Sequence, residues 1–122
     1  MFKIKKLKNI KKNGNLYVGE GNKILPIKVK RFYFLTNLKK NFWRGFHSHK
    51  NLNQLMVSIN GKFEFLLKYK KKTKKIILKK GHSFILPKNT WREFRSLSAN
   101  ATLLVLCDKK FSCKDYIYTN NE

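Results

Sequence analysis

Two histidines two residues apart, His47 and His49, stand in the segment Arg44-Gly45-Phe46-His47-Ser48-His49-Lys50, with Gln54 shortly beyond. In an extended strand, residues two apart project from one face, so both imidazoles can enter the same cavity. Neutral imidazole is a metal ligand, and it is also the side chain best suited to exchange protons near neutral pH. The bland alternative is a histidine pair that fills the polar interior of a small barrel. Arg44 carries a planar guanidinium fork that fits phosphate oxygens, or a salt bridge at a barrel mouth. Trp91 could stack on a sugar or base ring, although an aromatic following Pro87 in a small barrel is more often core packing. His82, directly after Gly81, reads as a turn residue. Cys107 and Cys113 have no partner pair and read as structural thiols.

The elements that must position these groups are strands. Phe63, Phe65, Leu67 and Tyr69 alternate with Lys62, Glu64, Leu66 and Lys68, which places one set on a buried face. Similar short runs occur at 16–18, 28–35, 45–49, 55–59, 76–78, 83–86, 92–95 and 102–106. Turn signals such as Asn13-Gly14, Gly21-Asn22, Asn60-Gly61, Lys80-Gly81 and Pro87-Lys88-Asn89 separate them. No amphipathic helix or internal repeat is evident. Many short strands at this spacing predict an all-β jelly-roll barrel of antiparallel strands, one domain over 1–122.

Composition supports a folded chain and removes several function classes. Hydrophobic residues make up 42% and aromatic residues 14% of the 122, enough for a core and too much for global disorder. The longest apolar stretch, Ala101 to Cys107, falls far short of the ~20 residues of a membrane-spanning helix. No secretory pattern follows the basic N-terminus, which predicts a cytoplasmic protein. With 29 basic and 6 acidic residues the formal charge is +23. A field of that size attracts nucleic acid, acidic lipid or a diphosphate. Arg31, Arg44, Arg92 and Arg95 are the four arginines, and the remaining basic residues are lysines scattered through every segment, poorly suited to reading bases. Nucleic-acid binding is therefore disfavoured. The run Lys70, Lys71, Lys72, Lys74 and Lys75 reads as a solvated hairpin turn.

Four residues separate His49 from Gln54 and six separate Gln54 from Gly61. This resembles the first cupin motif, HxH(x)4E(x)6G, with glutamine in place of glutamate, and Gly81 and Pro87 keep the G(x)5P spacing of the second motif. In metal-dependent cupins that glutamate and a histidine five residues after the proline complete the ligand set with the two histidines. Here those positions are Gln54 and Arg92. An amide is a poor substitute for a carboxylate ligand and a guanidinium cannot coordinate a cation. The expectation is no catalytic metal and no cofactor, with the imidazoles free for acid–base work.

A more specific resemblance runs from about Gly14 to Tyr118. It rests on Gly14-Asn15-Leu16 with Glu20, Leu25-Pro26-Ile27, Lys30-Arg31-Phe32-Tyr33, the histidine segment with Gln54, Gly81 with Pro87 and Trp91, Leu103 to Leu106, and Asp115-Tyr116-Ile117. Together these look like the nucleotide-sugar 3,4-ketoisomerases that act on dTDP-4-keto-6-deoxyglucose. The resemblance implies a homodimer with exchanged N-terminal strands and a product used by a 3-aminotransferase in surface-polysaccharide synthesis. It further implies His47 as the base at C3, Tyr33 as the group relaying a proton near C4 and His49 as an assistant. Arg31 and Arg44 are then candidate cations beside the Tyr33 phenol or the diphosphate. Gln54 is expected to bond a histidine or a sugar hydroxyl, and Trp91 to contact substrate. One departure stands out: the family's Asp-x-Arg-Gly turn is Lys11-Lys12-Asn13-Gly14 here, which motivates a competing reading as a non-catalytic nucleotide-sugar-binding cupin.

Overall fold

Alternation of apolar and polar residues becomes strand pairing throughout. A computed structural model describes residues 2–119, so residue 1 and residues 120–122 of the expected 1–122 unit lie outside the described residues. The strands are β1 (Lys5–Lys6), β2 (Lys8–Lys11), β3 (Asn15–Val18), β4 (Arg31–Leu35), β5 (Arg44–His49), β6 (Gln54–Asn60), β7 (Phe63–Tyr69), β8 (Lys72–Leu78), β9 (His82–Leu86), β10 (Trp91–Ser96), β11 (Thr102–Cys107) and β12 (Tyr116–Ile117). One 3-10 turn at Cys113–Asp115 leads into β12. All pairs are antiparallel. One sheet has the order β1-β9-β6-β11-β4, a second has β12-β5-β10-β7-β8, and β2 and β3 form a separate ribbon. This is the all-β jelly roll that the strand pattern predicts. No helix among the described residues is long and apolar enough to cross a membrane.

Three strands escape the sequence reading, because β1, β2 and β12 are too short or too lysine-rich to show alternation. His82 closes the turn as expected, its N–H donating to the Lys79 carbonyl at 2.9 Å, and it also begins β9, where Lys6 of β1 pairs with it. The lysine run is also redistributed. Only Lys70 and Lys71, both at positive φ, make the turn, whereas Lys72, Lys74 and Lys75 lie in β8 opposite Tyr69, Leu67 and Leu66.

The facing sheets meet in a core of Phe63, Phe65 and Leu67 from β7, Phe84 and Leu86 from β9, Leu103 and Val105 from β11, and Phe94 from β10. Phe65 contacts Phe84 edge-on at 5.0 Å and stacks on Phe94 at 5.2 Å, which locks the two sheets together. Polarity changes along the inward-facing positions. β10 runs from Arg92 through Phe94 to Ser96, and β6 from Gln54 through Met56 to Ser58, all buried. Arg92 and Gln54 therefore mark one polar end of an otherwise apolar interior.

A bulge at that end decides what enters the barrel. His47 pairs with Arg92, Gly45 with Glu93 and Arg44 with Phe94, so Phe46 is an extra residue in β5. Paired residues in antiparallel strands share a face. His47 and Arg44 thus both face inward, although strict alternation would put Arg44 on the face opposite to His47. Phe46 takes φ 55° and Gly45 φ 97°, and a methyl group on Gly45 would stand 3.0 Å from the Arg92 carbonyl oxygen. Gly45→Ala is expected to cost about 1–3 kcal/mol of stability by straining this bulge, measured by urea unfolding; a variant as stable as the parent would show that the bulge does not require glycine.

Candidate active site

β5 carries His47 and His49 into the polar end, and each imidazole is held by its Nδ1. His47 Nδ1 lies 2.9 Å from the Gly45 carbonyl oxygen, which can only accept, so His47 carries its proton on Nδ1 and its lone pair on Nε2. His49 Nδ1 meets Asp115 Oδ2 at 3.0 Å, and Asp115 Oδ1 accepts the backbone N–H of Asn51 at 2.8 Å. The bulge supplies the first anchor, and the 3-10 turn before β12 supplies the second. The two rings meet edge to face at 4.8 Å, and the Tyr116 ring lies 4.9 Å from His47 and 4.5 Å from His49.

Burial is the main reason that both imidazoles are pushed down to about 4, and the Arg92 guanidinium adds to it. The Gly45 carbonyl opposes the shift at His47, and Asp115 opposes it at His49, without reversing either. Both rings are thus neutral at neutral pH, the state in which a histidine can take a proton.

Arg92 is 2% exposed and bonded within the barrel wall. Its Nη1 donates to Gln54 Oε1 and its Nη2 to the Thr90 carbonyl oxygen. Burial lowers it to about 10, so it remains a cation at neutral pH. Gln54, 1% exposed, donates from Nε2 to Tyr33 Oη at 3.3 Å and to Cys107 Sγ at 3.5 Å. The expected bond from Gln54 to a histidine is therefore corrected: its amide meets Arg92, Tyr33 and Cys107 instead. Burial raises the Tyr33 phenol above its ordinary value, against the opposing pull of Gln54 and Arg92.

Tyr33, Arg31, Leu35, Arg44, Gly45, His47, Phe94, Phe111 and Tyr116 line an open cleft of about 400 Å³. Arg31 lies over the Tyr33 ring at 5.6 Å and the Phe111 ring at 5.8 Å, so one of the two cations expected near Tyr33 is there. Trp91 is not. It lies on the face of β10 opposite to Arg92, with its indole N–H on Glu93 Oε2 at 2.8 Å, because residues one apart in a strand face opposite ways. The structure thus brings His47, His49, Tyr33, Arg31, Arg44 and Gln54 to one end of the barrel and sends Trp91 to the other side of the sheet. Asp115, Tyr116 and Phe111 are the residues that spacing did not assign a role. Two signals pointed to Asp115: its place in the Asp115-Tyr116-Ile117 piece of the family resemblance, and the scarcity of carboxylates, since only six stand among 29 basic residues.

Fold and site together define a jelly-roll cupin with two paired, neutral imidazoles at one end of the barrel. The family model described as FdtA: WxcM-like, C-terminal matches residues 1–122, and the chain belongs to this family. A TDP-4-oxo-6-deoxy-alpha-D-glucose-3,4-oxoisomerase from Aneurinibacillus thermoaerophilus is 31% identical over 111 residues, covering 90% of this chain and 80% of that protein. A TDP-quinovose 3,4-ketoisomerase from Campylobacter jejuni is 36% identical with a TM-score of 0.87, over 97% of this chain and 92% of that one. A sugar 3,4-ketoisomerase from Thermoanaerobacterium thermosaccharolyticum, solved with TDP, is 32% identical with a TM-score of 0.87, over 97% and 88%.

Because folding lowers both histidines, the folded state binds fewer protons than the unfolded chain between about pH 4 and the ordinary histidine value. Their contribution to stability is complete above that ordinary value and is lost as pH falls towards 4. The melting temperature is expected to drop over that interval and His47→Asn to flatten the drop; a parent melting temperature constant from pH 7 to 4.5 would contradict the assigned shifts.

Proposed function

We propose that this protein is a nucleotide-sugar 3,4-ketoisomerase, an isomerase that converts dTDP-4-keto-6-deoxyglucose to a dTDP-3-keto-6-deoxyhexose through an enediol. The observation that carries the reading is one cleft lined by both the neutral His47 imidazole and the Tyr33 phenol, with the neutral His49 ring edge to face against His47. Moving a ketone from C4 to C3 needs a base for the C3 proton and an acid for the C4 oxygen, and no net electron transfer. His47 Nε2 takes the proton from C3. The C3–H electron pair becomes the C3=C4 bond, and the carbonyl π pair moves to O4, which takes the phenolic proton of Tyr33. In the second half, O3 returns its proton to the Tyr33 phenolate, the O3–H electron pair becomes the C3=O bond, and the C3=C4 π pair takes at C4 the proton held by His47, which restores both groups and leaves the ketone at C3. His49, held by Asp115, borders the same space and assists.

Arg31 and Arg44 at the cleft suit the diphosphate, whose oxygens match a guanidinium fork. We read the chemistry as metal-independent, since the two other ligand positions of the cupin motif hold Gln54 and Arg92, bonded to each other. The free thiols of Cys107 and Cys113 suit the cytoplasm. The same reading makes the working form a homodimer of this 1–122 unit. Phe32 and Phe34 on the outer face of β4 are 64% and 60% exposed, an apolar surface suited to a second copy. β1 pairs with β9 within one chain here, and the same ladder formed between two copies would exchange the N-terminal strands.

Incubation with dTDP-4-keto-6-deoxyglucose in deuterated water is expected to exchange the C3 hydrogen, followed by NMR. His47→Asn should bind TDP as the parent does and lose turnover by about 100-fold or more. TDP binding by the parent without any exchange would instead favour the non-catalytic sugar-nucleotide binder. Sedimentation should give a dimer for the parent and a monomer for the Phe32→Glu, Phe34→Glu double variant; a monomeric parent would remove the dimer.

A further inference from the structure

Hydrogen bonds have a direction, and the buried Arg92 and Gln54 with the partly buried Tyr33 leave no choice of direction. Arginine has donors only, so the atom of Gln54 that faces Arg92 Nη1, at 2.5 Å, must be the carbonyl oxygen. That fixes the amide against flipping, and its nitrogen must face Tyr33 Oη at 3.3 Å and Cys107 Sγ at 3.5 Å. The Tyr33 oxygen is thereby an acceptor towards the barrel wall. Its own proton has no acceptor among the described residues, and the ring lines the open cleft. The proton therefore points where a substrate carbonyl would lie.

We propose that Gln54 and Arg92 are positioning residues that set the polarity of a donor chain, Arg92 to Gln54 to Tyr33, so that the neutral Tyr33 phenol meets the sugar carbonyl with its proton and not with its lone pair. The inference rests on the isomerase reading above and adds to it two residues at the positions a metal-binding cupin uses for ligands. When Tyr33 gives its proton to O4, the phenolate left behind already accepts an N–H from Gln54, whose carbonyl is polarised by a cation. The same bond orients the phenol before the step and stabilises it afterwards, and the proton returns from O3 in the second half of the reaction. A carboxylate in place of Gln54 would do the opposite. It can only accept, so it would turn the phenolic proton into the wall while still pairing with Arg92.

Gln54→Glu is nearly isosteric and keeps the pairing with Arg92. Assayed with EDTA, it is expected to lose about 100-fold in kcat with KM and TDP affinity within about threefold of the parent. Tyr33→Phe should lose a similar factor, and the Tyr33→Phe, Gln54→Glu double variant should be no worse than Tyr33→Phe alone. That non-additivity is a readout which general loss of structure would not produce. Arg92→Met frees the amide to flip and should lower kcat with TDP affinity retained, which gives a second reading if the glutamate variant fails to fold. Full kcat in either folded variant, or independent losses in the double variant, overturns the proposal. A parent that exchanges no deuterium at C3 overturns the isomerase reading instead, so the two failures are distinguishable.

Discussion

The structure of the site depends on one buried cation. Arg92 stands inside the barrel at 2% exposure, and none of the ion pairs among the described residues includes it. Removing a guanidinium from water without an opposing carboxylate is costly, and such charges persist where hydrogen bonds satisfy them and a use exists for their field. Gln54 and the Thr90 carbonyl accept from the two terminal nitrogens of Arg92, while its Nε is buried without a hydrogen-bond partner among the described residues. The field reaches the rest of the site: it helps to depress both histidines and it pulls on the Tyr33 phenol against burial. A positive charge thus stands at the base of the cavity, where the cupin pattern places a metal ligand, and it acts through amide and phenol.

Backbone geometry places the remaining groups around that charge. The extra residue at Phe46 rotates β5 so that Arg44 faces the same way as His47, while the Gly45 carbonyl folds back to hold His47 Nδ1. At the other histidine the anchor comes from far away in sequence. Asp115 arrives on the short turn that precedes β12, and the β12–β5 pairing of Tyr116 with His49 holds it there. One strand therefore receives its two imidazoles in fixed tautomers from two unrelated devices, a bulge and a C-terminal clamp.

The net charge of +23 has a modest part in this arrangement. Lysines are scattered over the strand exteriors and loops, whereas four of the six carboxylates are committed to particular partners. Asp115 holds His49, Asp108 accepts two N–H groups of Asn53, Glu64 meets Arg95, and Glu93 takes the Trp91 indole. In so basic a chain, a carboxylate near the cavity is a better signal of structure or chemistry than any lysine. Asp115 bears this out.

Period-two alternation in β7 and the turn dipeptides made the jelly roll legible in the sequence, because burial on one face of a strand leaves a local signature. The spacing of His47, His49 and Gln54 made the cavity legible for the same reason. Short lysine-rich strands left no such mark: β1 and β12 emerge only from pairing with partners distant in the chain, and β2 only from its hairpin with β3. Alternation also misplaces whatever a bulge displaces, so the inward turn of Arg44 could not be read from parity. Trp91 was legible as an aromatic, but the side of the sheet it occupies is fixed by the neighbouring Arg92 facing inward. Direction of hydrogen bonding was the least visible feature of all. Residue types say that Gln54 can give or accept, and only the approach of a donor-only guanidinium across the barrel decides which end of the amide meets Tyr33.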